Sequence, residues 1–71
     1  MNDLNEIKIK GEYITLGQLI KALNYISSGG ETKVFIEKNT IMVNKEKENR
    51  RGKKLYKGDK IIIKDQEYII C

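Results

Sequence analysis

The side chains able to do chemistry are concentrated in two places. One is Arg50-Arg51-Gly52-Lys53-Lys54, where both arginines of the chain stand side by side and two lysines follow across a glycine. A guanidinium presents a planar, bidentate fork to phosphate and an ammonium a point charge, so this run is suited to holding a polyanion. The other is Ser28-Gly29-Gly30, with Lys33 four residues after Gly29. If a helix starts there, its first N–H groups and the positive end of its dipole face outward, the glycines let an anion approach the backbone, and Lys33 lies one turn on. Glycine in a helix costs about 0.5–1 kcal/mol relative to alanine, so two in succession imply a steric reason. That reason is either an approaching anion or a tight connection between helices.

The charge distribution favours the first place. The 71 residues carry 14 Lys and Arg against 10 Asp and Glu, a net +4. Residues 1–44 balance five lysines with five acids, whereas Lys45 to Lys60 holds eight basic residues against Glu46, Glu48 and Asp59. Such a block reads as the electrostatic footprint of a polyanion partner. Its competing reading is a solvated loop that keeps a small protein soluble.

Other functional classes lose support from the same inventory. There is no His and one Cys, Cys71, so a general base would have to be a carboxylate or a lysine. Glu31 and Asp59 have ordinary capping and turn roles, and a chain this short has little room for a water-excluding pocket of about 300 Å³ or more. The expectation is a protein that is not an enzyme and has no cofactor. A structural zinc needs about four His or Cys ligands, so no metal site is expected, and one Cys excludes an intrachain disulfide. Apolar runs such as Ile61 to Ile63 fall far short of the ~20 residues that span a bilayer, and the N-terminus mixes Asn, Asp and Glu rather than forming a leader. These features predict one domain over residues 1–71, monomeric, cytoplasmic and without a membrane partner.

The elements that must position the two basic places follow from periodicity. Ile7 and Ile9 alternate with charged residues and Gly11 ends the pattern, predicting an N-terminal strand within residues 1–11. Thr15 and Gln18 have capping-box spacing, with Ile14 and Leu19 at the hydrophobic staple positions, so a helix begins near Leu16. Leu16, Leu19, Ile20 and Leu23 form its apolar stripe, and Asn24 or Tyr25 closes it. Ser28 and Glu31 repeat the box spacing, predicting a second helix from Gly29 to Lys38, with Thr32, Phe35 and Ile36 on its buried face and Asn39 ending it in the left-handed conformation. Ile41 to Val43 is a short strand, Asn44-Lys45 a hairpin turn, and Lys45 to Asn49 the return strand. Arg50 to Lys54 is then a basic loop, after which Leu55 and Tyr56 re-enter the core. Lys57-Gly58-Asp59 is a turn, and residues 60–70 form a closing hairpin around Asp65-Gln66. The fold class is α+β: two short helices packed on a small, mostly antiparallel β-sheet.

In that order, two short helices, Ser28-Gly29-Gly30-Glu31-Thr32-Lys33, the strand end Ile41-Met42-Val43-Asn44, and Arg50-Arg51-Gly52-Lys53-Lys54-Leu55-Tyr56-Lys57-Gly58-Asp59 resemble the S-four-type RNA-binding domain, the alpha-L motif. The likeness covers about residues 13–63 and is nearest to the small free-standing bacterial branch, described as YaaA-like. It implies binding of structured RNA, rRNA or a ribosomal particle, in ribosome assembly or maturation. It carries Ser28, Gly29, Gly30, Lys33, Asn44, Arg50, Arg51, Lys53 and Lys54 as RNA-binding residues. The family's Arg and Ser at the start of the second helix are Gly29 and Gly30 here, and its hairpin Gly is Lys45. Tyr56 reads as a core anchor rather than a stacking ring. Two rival readings remain: a protein-interaction module of ubiquitin-like fold, suggested by Leu55 to Ile63, and a DNA-binding accessory protein using the same patch.

Overall fold

In the computed structural model, which describes residues 5–71, the elements run β1 (Asn5–Ile7), β2 (Tyr13–Thr15), α1 (Leu16–Ala22), a 3₁₀ turn (Gly29–Glu31), α2 (Thr32–Lys38), β3 (Ile41–Val43), β4 (Glu46–Lys47), β5 (Lys54–Tyr56), β6 (Lys60–Ile63) and β7 (Gln66–Ile70). The architecture is α+β. A five-stranded sheet has the order β1-β7-β6-β3-β4, and β2 pairs with β5 in a separate ribbon. Among the described residues β1 runs parallel to β7, while the other pairings are antiparallel.

The first helix forms as its sequence predicts. Thr15 Oγ1 accepts from the Gln18 N–H at 3.2 Å and Gln18 Oε1 accepts from the Thr15 N–H at 3.0 Å, completing the capping box. At the other end Asn24 takes φ 66°, the Asn24 N–H bonds the Lys21 carbonyl, and the Tyr25 N–H bonds the Ile20 carbonyl. This is a Schellman closure with Asn at the left-handed position.

The second helix differs. Gly29 to Glu31 make a 3₁₀ turn and the α-helix begins at Thr32. Ser28 makes no side-chain cap to the backbone. Instead the Glu31 carboxylate turns back and accepts from the Ser27 N–H at 3.3 Å and the Ser27 hydroxyl at 3.1 Å. Two flexible glycines favour a tighter turn over a full α-turn, and the carboxylate takes up the positive end of the segment. Asn39 also departs from expectation: it is extended (φ −126°, ψ 137°), and its Nδ2 donates to the Phe35 carbonyl at 3.0 Å. That carbonyl also accepts the Asn39 backbone N–H at 3.0 Å, so the side chain adds a second bond to the last turn while the chain leaves the helix extended.

Both hairpins of the main sheet close through two residues of positive φ, Asn44-Lys45 (52° and 72°) and Lys64-Asp65 (51° and 66°), the signature of type I′ turns. The closing hairpin therefore turns at Lys64-Asp65 rather than Asp65-Gln66, and Gln66 pairs with Ile63 as the first residue of β7. The return strand after Asn44 is shorter than Lys45–Asn49, with Glu46–Lys47 as β4 and one further bond from the Glu48 N–H to the Ile41 carbonyl. The N-terminal strand is assigned at Asn5–Ile7, and the contact continues past it where the Ile9 N–H bonds the Cys71 carbonyl. Residues 1–4 of the expected span lie outside the described residues.

One face of the main sheet, with Ile41, Val43, Ile61, Ile63, Tyr68 and Ile70, packs with Leu16, Leu19 and Ile20 of α1, Ile36 of α2 and Leu55 of β5 into a single core. Alternation sets which residues of β2 and β5 enter it: Leu55 is fully buried and Ile14 packs against the cluster, while Tyr13 and Tyr56 face out. Tyr56 is 48% exposed, so the expectation that it anchors the core does not hold.

Two stability predictions follow from these interactions. Thr15→Ala removes the capping box and should cost about 1 kcal/mol, or roughly 4–8 °C of Tm in a domain this small, measured by thermal unfolding. The Tyr25 hydroxyl lies 2.7 Å from that of Tyr68, and burial, reinforced by this hydrogen bond, pushes the Tyr25 pKa up to about 12. Below pH 10 the folded and unfolded chains both hold the proton. Between pH 10 and about 12 the unfolded chain releases it while the folded chain retains it, so stability falls as pH rises. Tyr25→Phe should flatten that alkaline loss in denaturant titrations, and equal slopes for the two proteins would contradict the assignment.

Candidate nucleic-acid interface

The basic turn is positioned by backbone chemistry. The first four N–H groups of a helix have no partner inside it. In α1 the cap and third positions are served by the Thr15–Gln18 box, and the two between them by the basic turn: the Leu16 N–H donates to the Lys53 carbonyl at 2.9 Å and the Gly17 N–H to the Arg51 carbonyl at 2.8 Å. The turn is internally closed by the Lys53 N–H on the Arg50 carbonyl at 3.1 Å. Residue 17 must be small for this approach, since a Cβ there would lie 3.3 Å from the Arg51 carbonyl oxygen and 3.4 Å from Thr32 Cγ2.

The docking creates a shallow groove of about 360 Å³ between α1, the 3₁₀ turn and the basic turn. It is lined by Thr15, Gly17, Gln18, Lys21, Gly29, Thr32, Arg51 and Gly52. Its lining carries two cations, Arg51 and Lys21, and no carboxylate. Gly29 is open, a Cβ there meeting nothing within 4 Å. Lys33 is exposed in the first turn of α2, next in sequence to the groove-lining Thr32.

Other expected site residues are placed differently. Arg50 folds back on Glu48, with Nε 2.8 Å from Oε2 and a second bond from Nη2 to Oε1 at 3.3 Å. The guanidinium's hydrogen bond holds the Glu48 carboxyl below the usual carboxylate range. The adjacent arginines are thus unequal: Arg50 is paired with Glu48, and Arg51, which is exposed, lines the groove. Lys54 lies on the outer face of the β2–β5 ribbon, its Nζ 4.9 Å from the centre of the Tyr13 ring. Lys53 is half-buried and contributes its carbonyl to the α1 start. The Ser28 hydroxyl lies 3.5 Å from the Glu31 carboxylate. Gly30 lines a separate apolar groove with Tyr25, Val34 and Phe35.

Asn44 is occupied by the fold. Its Nδ2 donates to Asp59 Oδ1 at 3.1 Å and its Oδ1 accepts from the Lys60 N–H at 3.0 Å, while Asp59 Oδ2 accepts from the Tyr56 N–H at 2.8 Å. This clamp ties the β3–β4 turn to the start of β6 and to the end of β5, and so sets where the basic segment leaves the sheet.

One residue outside the sequence-derived set lines this groove. Lys21 follows Gly17 by four positions and shares its helix face, away from the apolar stripe; the paired spacing was the available signal. Tyr13, two residues before the cap, lies outside the groove and faces out from the β2–β5 ribbon near Lys54. Among the described residues no three or more His, Cys, Asp or Glu side chains gather as metal ligands would. No helix among them is long and apolar enough to cross a membrane.

Residues 7–71 match the S4 domain, a span wider than the resemblance at 13–63 because it takes in Ile7 of β1 and all of β7. Over 59 residues, 83% of this chain and 83% of the relative, the sequence is 49% identical to the probable ribosome maturation protein RlbA of Bacillus subtilis (strain 168). On the extent of both matches, the chain belongs to the S4 domain family.

Proposed function

We propose that this protein binds structured RNA, specifically rRNA within a maturing ribosomal particle, and acts in the cytoplasm by binding rather than by catalysis, as a monomer. The observation that carries the proposal is the backbone docking of the basic turn onto α1, which brings Arg51 and Lys21 to one carboxylate-free groove beside the open Gly29. Membership of the S4 family and the similarity to a probable ribosome maturation protein support the choice of RNA and of the ribosome as its setting.

In this reading Arg51 and Lys21 hold phosphates at the groove, and Lys33, Lys53 and Lys54 extend the positive surface to either side. Side chains, rather than helix amides, provide the anion contacts, because the α1 amides are already paired and the Glu31 carboxylate, bonded to Ser27, places negative charge at the start of the second helical segment. Ser28, Gly30 and Asn44 serve the shape of the surface rather than the contact. A-form RNA has a major groove too narrow for side chains to read, so recognition by such a patch rests on backbone shape and phosphate spacing.

Arg51→Ala should weaken binding of an rRNA hairpin about tenfold and reduce the slope of log affinity against log salt by roughly 1, as the loss of one phosphate contact predicts. Arg50→Ala should have a clearly smaller effect, because that guanidinium is engaged by Glu48; fluorescence anisotropy across a salt series separates the two. Co-sedimentation with ribosomal particles should fail for Arg51→Ala combined with Lys21→Ala while thermal unfolding is unchanged. Stronger binding to a matched DNA duplex than to the RNA hairpin at the same salt would overturn the reading.

A further inference from the structure

Two of the largest exposed apolar side chains are neighbours. Tyr13 on β2 and Tyr56 on β5 are register partners, 42% and 48% exposed, with ring centres 5.9 Å apart and planes tilted by 53°. The ribbon has two unlike faces, because successive side chains of a strand alternate. Ile14 and Leu55 face the core, whereas Tyr13, Tyr56, Thr15 and Lys54 share the other face. Packing is thus provided by the inner pair, and the two tyrosine rings are partly exposed, with the Lys54 ammonium over the Tyr13 ring, 4.9 Å from its centre.

We infer that this outer face is a stacking platform for an unpaired nucleobase of the bound RNA, with Lys54 holding the adjoining phosphate. The inference rests on the RNA-binding reading above and adds to it the kind of RNA element recognised. Every base has a π-face, so exposed aromatic rings accept a base without requiring its identity, and a neighbouring cation suits the nucleotide's charge. Position supports the same occupant: β5 begins where the basic turn ends, and Lys54 is three residues from Arg51, at most about 11 Å along the chain. One RNA can therefore lay its backbone across the groove and a base on the rings. A base inside a duplex has both faces covered by its neighbours, so the platform selects a loop, bulge or strand end.

The test compares the full-length protein on two labelled RNAs at equal salt: a fully paired hairpin stem and the same stem with one unpaired bulge nucleotide. Wild type should prefer the bulged RNA by roughly tenfold, within the range of one base–aromatic stack. Tyr13→Leu with Tyr56→Leu should reduce affinity for the bulged RNA to that for the paired stem, leaving paired-stem affinity and the salt slope unchanged. Tyr13→Phe with Tyr56→Phe keeps both rings and should retain the preference. Equal wild-type affinity for the two RNAs, or a preference that persists in the Leu pair, would overturn the platform while leaving RNA binding standing. Loss of both RNAs together with a lowered Tm in the Leu pair, or loss of the preference in the Phe pair, would also overturn it, showing rings that only hold the ribbon. Failure of the wild type to bind either RNA would overturn the functional reading beneath it.

Discussion

Helix α1 starts with amides that have no partner within the helix, and two of them, at Leu16 and Gly17, are taken by the carbonyls of Lys53 and Arg51. Leaving such groups unpaired inside a protein costs about as much as a lost hydrogen bond each, so the basic turn is fastened by a requirement of the helix itself. The glycine at position 17 is the steric condition for that contact. A segment rich in like charge would otherwise spread into solvent. Here its backbone is tied down and its side chains are left free to face outward.

The rest of the fold holds the two ends of that turn. On one side the Asn44–Asp59 clamp joins three chain segments, with the carboxylate accepting from both a side-chain amide and the Tyr56 backbone. On the other, Leu55 buries completely and fixes the register of β5 against β2, since a slip of one residue would send the tyrosines inward and the leucine out. The main sheet supplies the mass of the core, and its two type I′ turns need no glycine because Asn and Asp occur at them beside exposed lysines.

Electrostatically the surface is more selective than its composition. Arg50 is neutralised by Glu48 and the start of the second helical segment is answered by Glu31. Arg51 and Lys21 line the groove, and Lys54 leads from the basic turn to the tyrosine ribbon. Phosphate contacts position a nucleic acid and carry no base information, and the proposed stacking surface would add a distinction between paired and unpaired RNA rather than between bases.

Local rules sufficed wherever neighbours in sequence are also partners in space. The capping box at Thr15, the stripe of Leu16, Leu19 and Ile20, the Asn44-Lys45 hairpin and the Gly58-Asp59 turn are all short-range interactions, and each forms as its residues specify. The basic block and the absence of His were likewise visible in the chain, although the block alone left a polyanion footprint and a solvated loop as competing readings. The choice between two equally local answers was not visible: whether Glu31 would cap through Ser28 or Ser27, whether Asn39 would turn left-handed or bond Phe35, and whether Tyr56 would point in or out. The orientation of Tyr56 depends on contacts tens of residues away, since pairing with Tyr13 and burial of Leu55 set it. The inequality of Arg50 and Arg51 combines a local pair, with Glu48 two residues before Arg50, and a distant contact between Arg51 and Gly17. Side by side in sequence they are chemically equivalent, and only the carbonyl–amide contact with Gly17 and the reach of Glu48 place one in an ion pair and the other at the groove.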